Sequence, residues 1–318
     1  MQAVFLDFGS VSTGGDLDLT PLHSALADLR VYDVTPDELV DERVAGQEIV
    51  LLNKAEITRQ RIEANPQLKL IALTATGVNN VDVEAARERG VAVCNIRDYC
   101  TASVAQHVFA TLLALTHSIR EYDQALKAGA WQKGEQFTLL NYPIRELAGR
   151  TLGIVGYGVL GQAVARIGEA FGMQVLVARR PGSDSADGRM SLDALLPLVD
   201  VLTLHCPMTD ATRGLIGARE LALMRRDAVL INTARGGLVD AEALAFALRH
   251  GQIGGAAIDV LTQEPPVDGN PLLAADLHNL IVTPHTAWAA QESRQRAIDE
   301  LSANVRDFLA GGRRGRVV

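Results

Sequence analysis

The sequence predicts an α/β protein made of two Rossmann-like, doubly wound parallel-sheet domains, one inserted into the other. Three observations carry that expectation. Strand-like and helix-like runs alternate almost throughout, the 318 residues exceed the usual size of one domain, and a glycine-rich strand-turn-helix lies between two long helical stretches.

In chain order the strand-like runs are "AVFLDF", "EIVLLN", "LKLIALTAT", "VAVCNI", "TLGIVGYG", "QVLVAR", "VDVLTLHCP", "AVLINTA", "GGAAIDV" and "NLIVTPH". They are short, apolar and bounded by polar or turn residues, as strands buried on both faces must be. Helical spacing of apolar residues marks the long stretches 101–120 and 287–309, each long enough to bridge two domains. The simplest partition assigns 1–100 with 287–318 to a substrate-binding, catalytic domain and 101–286 to a cofactor domain.

Composition narrows the function classes. With 48% hydrophobic and 21% charged residues the chain reads as an ordinary soluble α/β protein. A formal charge of −8 argues against nucleic-acid or anionic-membrane partners, which want a basic stripe, and the short segment "GRRGRVV" does not change that. Cys94, Cys100 and Cys206 have no metal-ligand or redox-pair spacing, so no metal site and a reducing compartment are expected. The start "MQAVFLDFGS" reads as a strand rather than a signal peptide, and no apolar run reaches membrane-spanning length, so a cytoplasmic protein is expected.

The segment "TLGIVGYGVLGQAVARIGEAFG" places Gly156, Gly158 and Gly161 between a buried strand and an amphipathic helix. That context turns a weak motif into a dinucleotide-binding one. Gly156 permits a tight turn, Gly158 lets backbone approach a pyrophosphate, and Gly161 allows close packing of helix on strand. The helix N-terminus then receives the anion. The next strand, "QVLVARRPG", ends in Arg179 and Arg180, then Pro181 and Gly182, where an NAD-binding unit ordinarily carries an acid for the ribose hydroxyls. A carboxylate there repels the extra phosphate of NADP, whereas an arginine pairs with it. The cofactor expectation is therefore NADP ahead of NAD. The alternative, two solvated loop charges with either cofactor accepted, stays open.

Arg235, Glu264 and His285 follow three late apolar runs, where a parallel sheet puts its functional loops. Together they suit reduction of a 2-oxo acid. Arg235 holds a carboxylate and polarises the neighbouring carbonyl, His285 donates the proton, and Glu264 beside the imidazole favours its protonated form.

At these residues the sequence resembles the D-isomer-specific 2-hydroxyacid dehydrogenase family over nearly its whole length. The resemblance rests on the glycine loop at 156–161, "HCP" with the threonines and glycine that follow at 205–216, "NTARGGLVD", "AAIDVL" with "EPP", and "PHTAWA". The segments "ATGVNNVD", "NIRDYCTASVAQH" and Trp288 are most similar to the family's hydroxypyruvate-reducing branch. The resemblance implies that Arg235, Glu264 and His285 form a catalytic triad. It implies backbone amides of Ala75, Thr76 and Gly77 at the substrate carboxylate, with Asn53 and Lys54 at the far end of the pocket. Val159 and Leu160 are implied beside the pyrophosphate, Cys206 and Pro207 on the adenosine side, Thr212, Thr233 and Ala234 along the cofactor, and Asp259 at the nicotinamide carboxamide. Trp288 is expected either to wall a small pocket or to pack its helix.

The expected reaction is reduction of hydroxypyruvate or glyoxylate to the D-2-hydroxy acid by a homodimer joined through its cofactor domain. A nucleotide-sensing, corepressor-like binding protein and a same-fold dehydrogenase for another small acid are the competing readings.

Overall fold

The computed structural model describes residues 1–180 and 189–318. They form two compact units, Met1–Cys100 with Trp288–Val318, and Thr101–Ala287.

The first unit holds β1 (Gln2–Phe5), β2 (Asp28–Val31), β3 (Ile49–Leu52), β4 (Leu70–Leu73) and β5 (Ala92–Cys94), in the order β2-β1-β3-β4-β5. Every pairing is parallel. Successive residues of β1 feed opposite faces: Ala3 and Phe5 join one apolar cluster, Val4 the other. That period of two is why the buried strands read as unbroken apolar runs. The strand the sequence reading passed over is β2, "DLRV", an edge strand whose residues alternate exposed and half-buried. Charge on an edge is what keeps it from pairing with other chains, and it also erases the apolar signal.

The second unit holds β6 (Thr151–Val155), β7 (Gln174–Val177), β8 (Val201–Leu204), β9 (Val229–Asn232), β10 (Gly255–Ile258) and β11 (Leu280–Val282), in the order β11-β10-β9-β8-β6-β7. This sheet too is parallel throughout. Strand order reverses between β6 and β8, and ligands of such sheets bind at the carboxyl ends of the strands flanking that point.

The two long helical stretches end differently from the expectation. The run 101–120 breaks at Ser118, whose φ of 48° is left-handed, giving helices Thr101–Thr116 and Ile119–Lys127. The run from 287 becomes helical only at Gln291 and continues to Leu309. Each helix belongs to a single unit, because the chain changes unit at Cys100/Thr101 and again at Ala287/Trp288. Among the described residues no helix is long and apolar enough to cross a membrane.

Candidate active site

The glycine loop follows β6 and leads into the helix Val159–Ala170. Gly156 has φ of +94°, and a Cβ there would lie 2.6 Å from the backbone of His205 and Cys206 after β8. Only glycine lets these two loops touch. A Cβ on Gly161 would sit 2.1 Å from the Gly156 carbonyl, so the helix start packs directly on the turn. Gly158 is the N-cap and supplies no side-chain cap, leaving the first N–H groups of Val159 and Leu160 to an outside acceptor. Val159 is half exposed, so the approach is open.

The loop after β8 is tightly self-bonded. Thr212, almost fully buried, accepts from the Thr209 amide at 2.7 Å and donates to the Pro207 carbonyl at 2.8 Å. Its hydroxyl is thus engaged in shaping the loop. Cys206 is buried, and burial pushes its thiol pKa up.

Arg179 lies just past β7, its amide bonded to the Met190 carbonyl at 2.7 Å and its Nε 3.4 Å from the Arg189 carbonyl. The Arg189 guanidinium in turn sits 5.6 Å from the ring centre of Tyr157, inside the glycine loop. Sequence reasoning missed Arg189, because ten residues separate it from Arg179 and only the bridge between Ala178 and Met190 brings the two together. No carboxylate among the described residues pairs with Arg179 or Arg180. Pro181 and Gly182 lie outside the described residues.

Arg235, Glu264 and His285 follow β9, β10 and β11, three neighbouring strands of one sheet. His285 Nδ1 stands 2.6 Å from Glu264 Oε2, while Glu264 Oε1 accepts from the Leu261 amide at 2.8 Å. Leu261 also meets the arginine loop: a Cβ on Gly236 would fall 2.0 Å from its carbonyl carbon. The backbone before and after Arg235 is pinned by Asn232, fully buried, whose amide side chain bonds the Ala234 N–H at 3.0 Å and the Arg235 carbonyl at 2.9 Å. Arg235 is exposed, with Nη1 on the Ala234 carbonyl at 2.7 Å. Thr233 has a buried hydroxyl oxygen that meets no partner among the described residues.

His285 has φ of 55°, a left-handed conformation that costs a non-glycine residue on the order of 1 kcal/mol. Asp259 over-determines it. The Asp259 carbonyl accepts the His285 amide at 2.8 Å, and its carboxylate accepts from Thr283 Oγ1 at 2.5 Å, Thr286 N at 2.8 Å and Ala287 N at 2.9 Å. With that carboxylate 2% exposed as a residue, the structure gives Asp259 the shaping of the histidine loop. His107 completes the network, its Nε2 3.1 Å from Thr283 Oγ1; since the threonine proton goes to Asp259, Nε2 carries the hydrogen. Neither Asn232 nor Thr283 nor His107 had a role in the sequence reading, where only their neighbours stood out.

In the first unit Asp7, at the end of β1, collects the loop after β3. It accepts from the amides of Asn53 at 2.8 Å, Lys54 at 2.5 Å and Ala55 at 2.8 Å. Asn53 is buried with its side-chain nitrogen on Ser10, whereas Lys54 is exposed. After β4, the carbonyls of Ala75 and Thr76 are bonded by the Ile96 amide and by Asn95 Nδ2, at 3.2 and 2.6 Å. The amides of Ala75, Thr76 and Gly77 meet no acceptor among the described residues. Three consecutive free N–H groups make an anion nest. Trp288, half-buried, packs edge-on against Tyr99 with ring centres 6.3 Å apart.

Comparison with known proteins identifies the family. Residues 109–287 match the model of the D-isomer specific 2-hydroxyacid dehydrogenase NAD binding domain. The chain is 48% identical over 277 residues to glycerate dehydrogenase of Methylorubrum extorquens, covering 87% of each. It is 38% identical over 318 residues to hydroxypyruvate reductase of Blautia hydrogenotrophica, covering 98% of each. Among solved structures the TT0316 protein of Thermus thermophilus superposes with a TM-score of 0.87 at 34% identity, covering the whole of both chains. Glycine loop, strand order and relatives converge: this chain belongs to the D-isomer specific 2-hydroxyacid dehydrogenase family.

Proposed function

We propose that the chain reduces hydroxypyruvate or glyoxylate to the corresponding D-2-hydroxy acid, with NADPH preferred to NADH, in the cytoplasm and as a homodimer. The observation that carries the chemistry is the 2.6 Å contact between His285 Nδ1 and Glu264, on loops that also fix Arg235.

The residues present fit a dinucleotide. The uncapped helix at Val159, the close-packed turn at Gly156 and the partnerless Thr233 hydroxyl are a phosphate cradle and a ready hydrogen-bonding group. When bound, the reduced nicotinamide supplies a hydride to carbon 2 of the oxo acid.

Arg235 takes the substrate carboxylate and polarises the carbonyl through its planar guanidinium, which carries charge at every working pH. In the first unit, the nest at Ala75, Thr76 and Gly77 is suited to an anion. His285, with Nδ1 turned to Glu264, presents Nε2 and delivers its proton to the carbonyl oxygen as that oxygen gains charge. Glu264 holds the ring in one orientation and stabilises the imidazolium before transfer. A competing corepressor-like reading has no observation in its favour.

For the cofactor, Arg179 and Arg180 beside the Arg189–Tyr157 pair form a basic cluster next to the glycine loop. An arginine about 4 Å from a phosphate charge gains on the order of 4 kcal/mol before desolvation at an effective dielectric of 20. A ribose hydrogen bond forgone is about 1 kcal/mol. Steady-state reduction of hydroxypyruvate with each cofactor, in wild type and Arg179→Asp, tests this. NADPH should win in the wild type and lose its advantage in the variant. Equal or better use of NADH by the wild type refutes the preference and leaves the proposed triad standing.

The dimer reading rests on the second unit, where Phe137 is 86% and Leu140 82% exposed beside the helix Ile119–Lys127, which buries no residue. Apolar surface of that kind calls for a partner. Sedimentation of Phe137→Asp/Leu140→Asp should show a monomer. The free thiols of Cys94, Cys100 and Cys206 support the reducing compartment.

A further inference from the structure

We propose that Gly236 is a positioning residue for the Glu264–His285 pair and acts on it through Leu261. The inference rests on the roles given above to Glu264 and His285, and it adds a residue that bears no functional group of its own.

The turn after Arg235 is anchored. Arg235 is the N-cap of a short 3-10 helix, Gly236–Leu238, and the loop after β8 holds that helix by its backbone. The Gly237 carbonyl accepts the Gly214 amide at 2.8 Å, the Leu238 carbonyl accepts the Ile216 amide at 3.0 Å, and Val239 bridges to Ile216. Leu238 is fully buried in the core of the second unit. Moving the turn would break those bonds and pull a leucine toward water.

The facing loop is held far less. Leu261 is half-buried, and Thr262, Gln263 and Glu264 are exposed. A Cβ on Gly236 would fall onto the Leu261 carbonyl group and lie 2.5 Å from the Thr262 nitrogen, so main chain packs on main chain there. Since the turn is fixed, a side chain at 236 displaces the loop.

That displacement reaches the acid pair. Glu264 Oε1 accepts from the Leu261 amide at 2.8 Å, while Oε2 stands 2.6 Å from His285 Nδ1. The histidine does not follow, because Asp259 stays behind with its amide on the Asn232 carbonyl at 2.9 Å and its carbonyl on the His285 amide at 2.8 Å. Pushing Leu261 outward therefore carries Glu264 away from the imidazole.

Gly237 supplies the contrast within the same turn. The nearest atoms to a Cβ there are Sδ, Cε and Cγ of Met208, an exposed and flexible side chain that can swing aside.

Steady-state reduction of hydroxypyruvate by the full chain tests the role, using Gly236→Ala, Gly237→Ala, Glu264→Ala and the double variant Gly236→Ala/Glu264→Ala. Gly236→Ala should fold, since the loop it pushes lies at the surface, and should lower kcat about tenfold. Gly237→Ala should stay within about twofold of the wild type. In the Glu264→Ala background, Gly236→Ala should change kcat by no more than about twofold, because the group it displaces is gone. A merely structural glycine would lower both backgrounds by the same factor. Leu261→Pro lacks the N–H that holds Glu264 Oε1; it approaches the link from the other side, whatever the folding of the glycine variant, and should also lower kcat about tenfold. Equal losses in the two backgrounds, equal losses from the two glycine substitutions, a Gly236→Ala chain that does not fold, or wild-type kcat in Leu261→Pro overturns the positioning role. Wild-type turnover in Glu264→Ala is a separate failure, since it removes the reading of the pair on which the role rests.

Discussion

Two regions at the carboxyl edge of the six-stranded sheet are built on opposite principles. At the strand-order reversal, after β6 and β8, geometry comes from side chains that are missing: a Cβ on Gly156 or Gly161 would collide with backbone 2.6 or 2.1 Å away. After β9, β10 and β11, geometry comes from side chains that are buried and fully bonded, Asn232 and Asp259 above all. Each region also carries a histidine. The His205 ring has Nδ1 shut off without a partner and Nε2 2.9 Å from the Thr203 hydroxyl, while His285 is part-exposed with Glu264 at 2.6 Å. The lesson is that a histidine after a parallel strand acquires its chemistry from its neighbours, since burial holds His205 neutral while His285 has a carboxylate at hydrogen-bond distance.

Breaking the second region at its proposed acid should have the largest effect. His285→Ala should lower kcat for hydroxypyruvate roughly a hundredfold or more, since general acid catalysis is worth that much. Cofactor affinity, measured by fluorescence titration, should survive. Near-normal turnover sinks the assignment of the acid.

The first region should fail differently. Gly156→Ala forces a Cβ into the His205–Cys206 backbone at a φ of +94°, so the turn must open. We expect cofactor affinity to fall about tenfold or more and folding stability by about 2 kcal/mol, while the Glu264–His285 pair is untouched. A variant binding cofactor as the wild type does would show that the close contact is dispensable.

Asp259→Asn tests how far the histidine depends on its support. The asparagine keeps one acceptor and turns an N–H toward a donor of the loop, at a cost of about 1–3 kcal/mol. Thermal unfolding should move down accordingly. Turnover should fall about tenfold, because small displacements of an acid from its substrate are expensive. The family resemblance gives this residue a cofactor contact instead. A weakened cofactor Kd with an unchanged melting temperature would favour that role over the one its hydrogen bonds describe.

The contrast also explains what could be read in the sequence. Missing side chains leave a local signature, so Gly156, Gly158 and Gly161 stand out at once between a strand and a helix. The three residues of the proposed triad stood out because they are chemically conspicuous and follow apolar runs. Thr283 and His107 did not, since they act across 24 and 176 positions of chain in the Thr283–Asp259 and His107–Thr283 contacts, and Asn232, though it acts on Ala234 and Arg235 close by in the chain, reads in the sequence as the end of a strand. Asp7 is the intermediate case. It was visible as an acid ending a strand, but its grip on Asn53, Lys54 and Ala55 depends on β1 and β3 being neighbours. Buried strands announced themselves through unbroken apolar runs, whereas β2, charged and on an edge, gave no such signal.

The histidine pair offers the smallest and sharpest test. Burial pulls the His205 pKa down to about 4 from its ordinary 6.5. The unfolded chain therefore takes up a proton between those values that the folded chain refuses, and stability is lost as pH falls from 6.5 toward 4. At pH 5.5 the unfolded histidine is mostly protonated and the folded one hardly at all, which corresponds to about 1.4 kcal/mol. His205→Gln keeps a polar side chain near Thr203 and removes the titration. Denaturant unfolding at pH 7.5 and 5.5 should show the wild type losing about that much more stability than the variant. Equal losses would mean that the His205 ring takes its proton in the folded state as well, and that water reaches it behind the glycine loop.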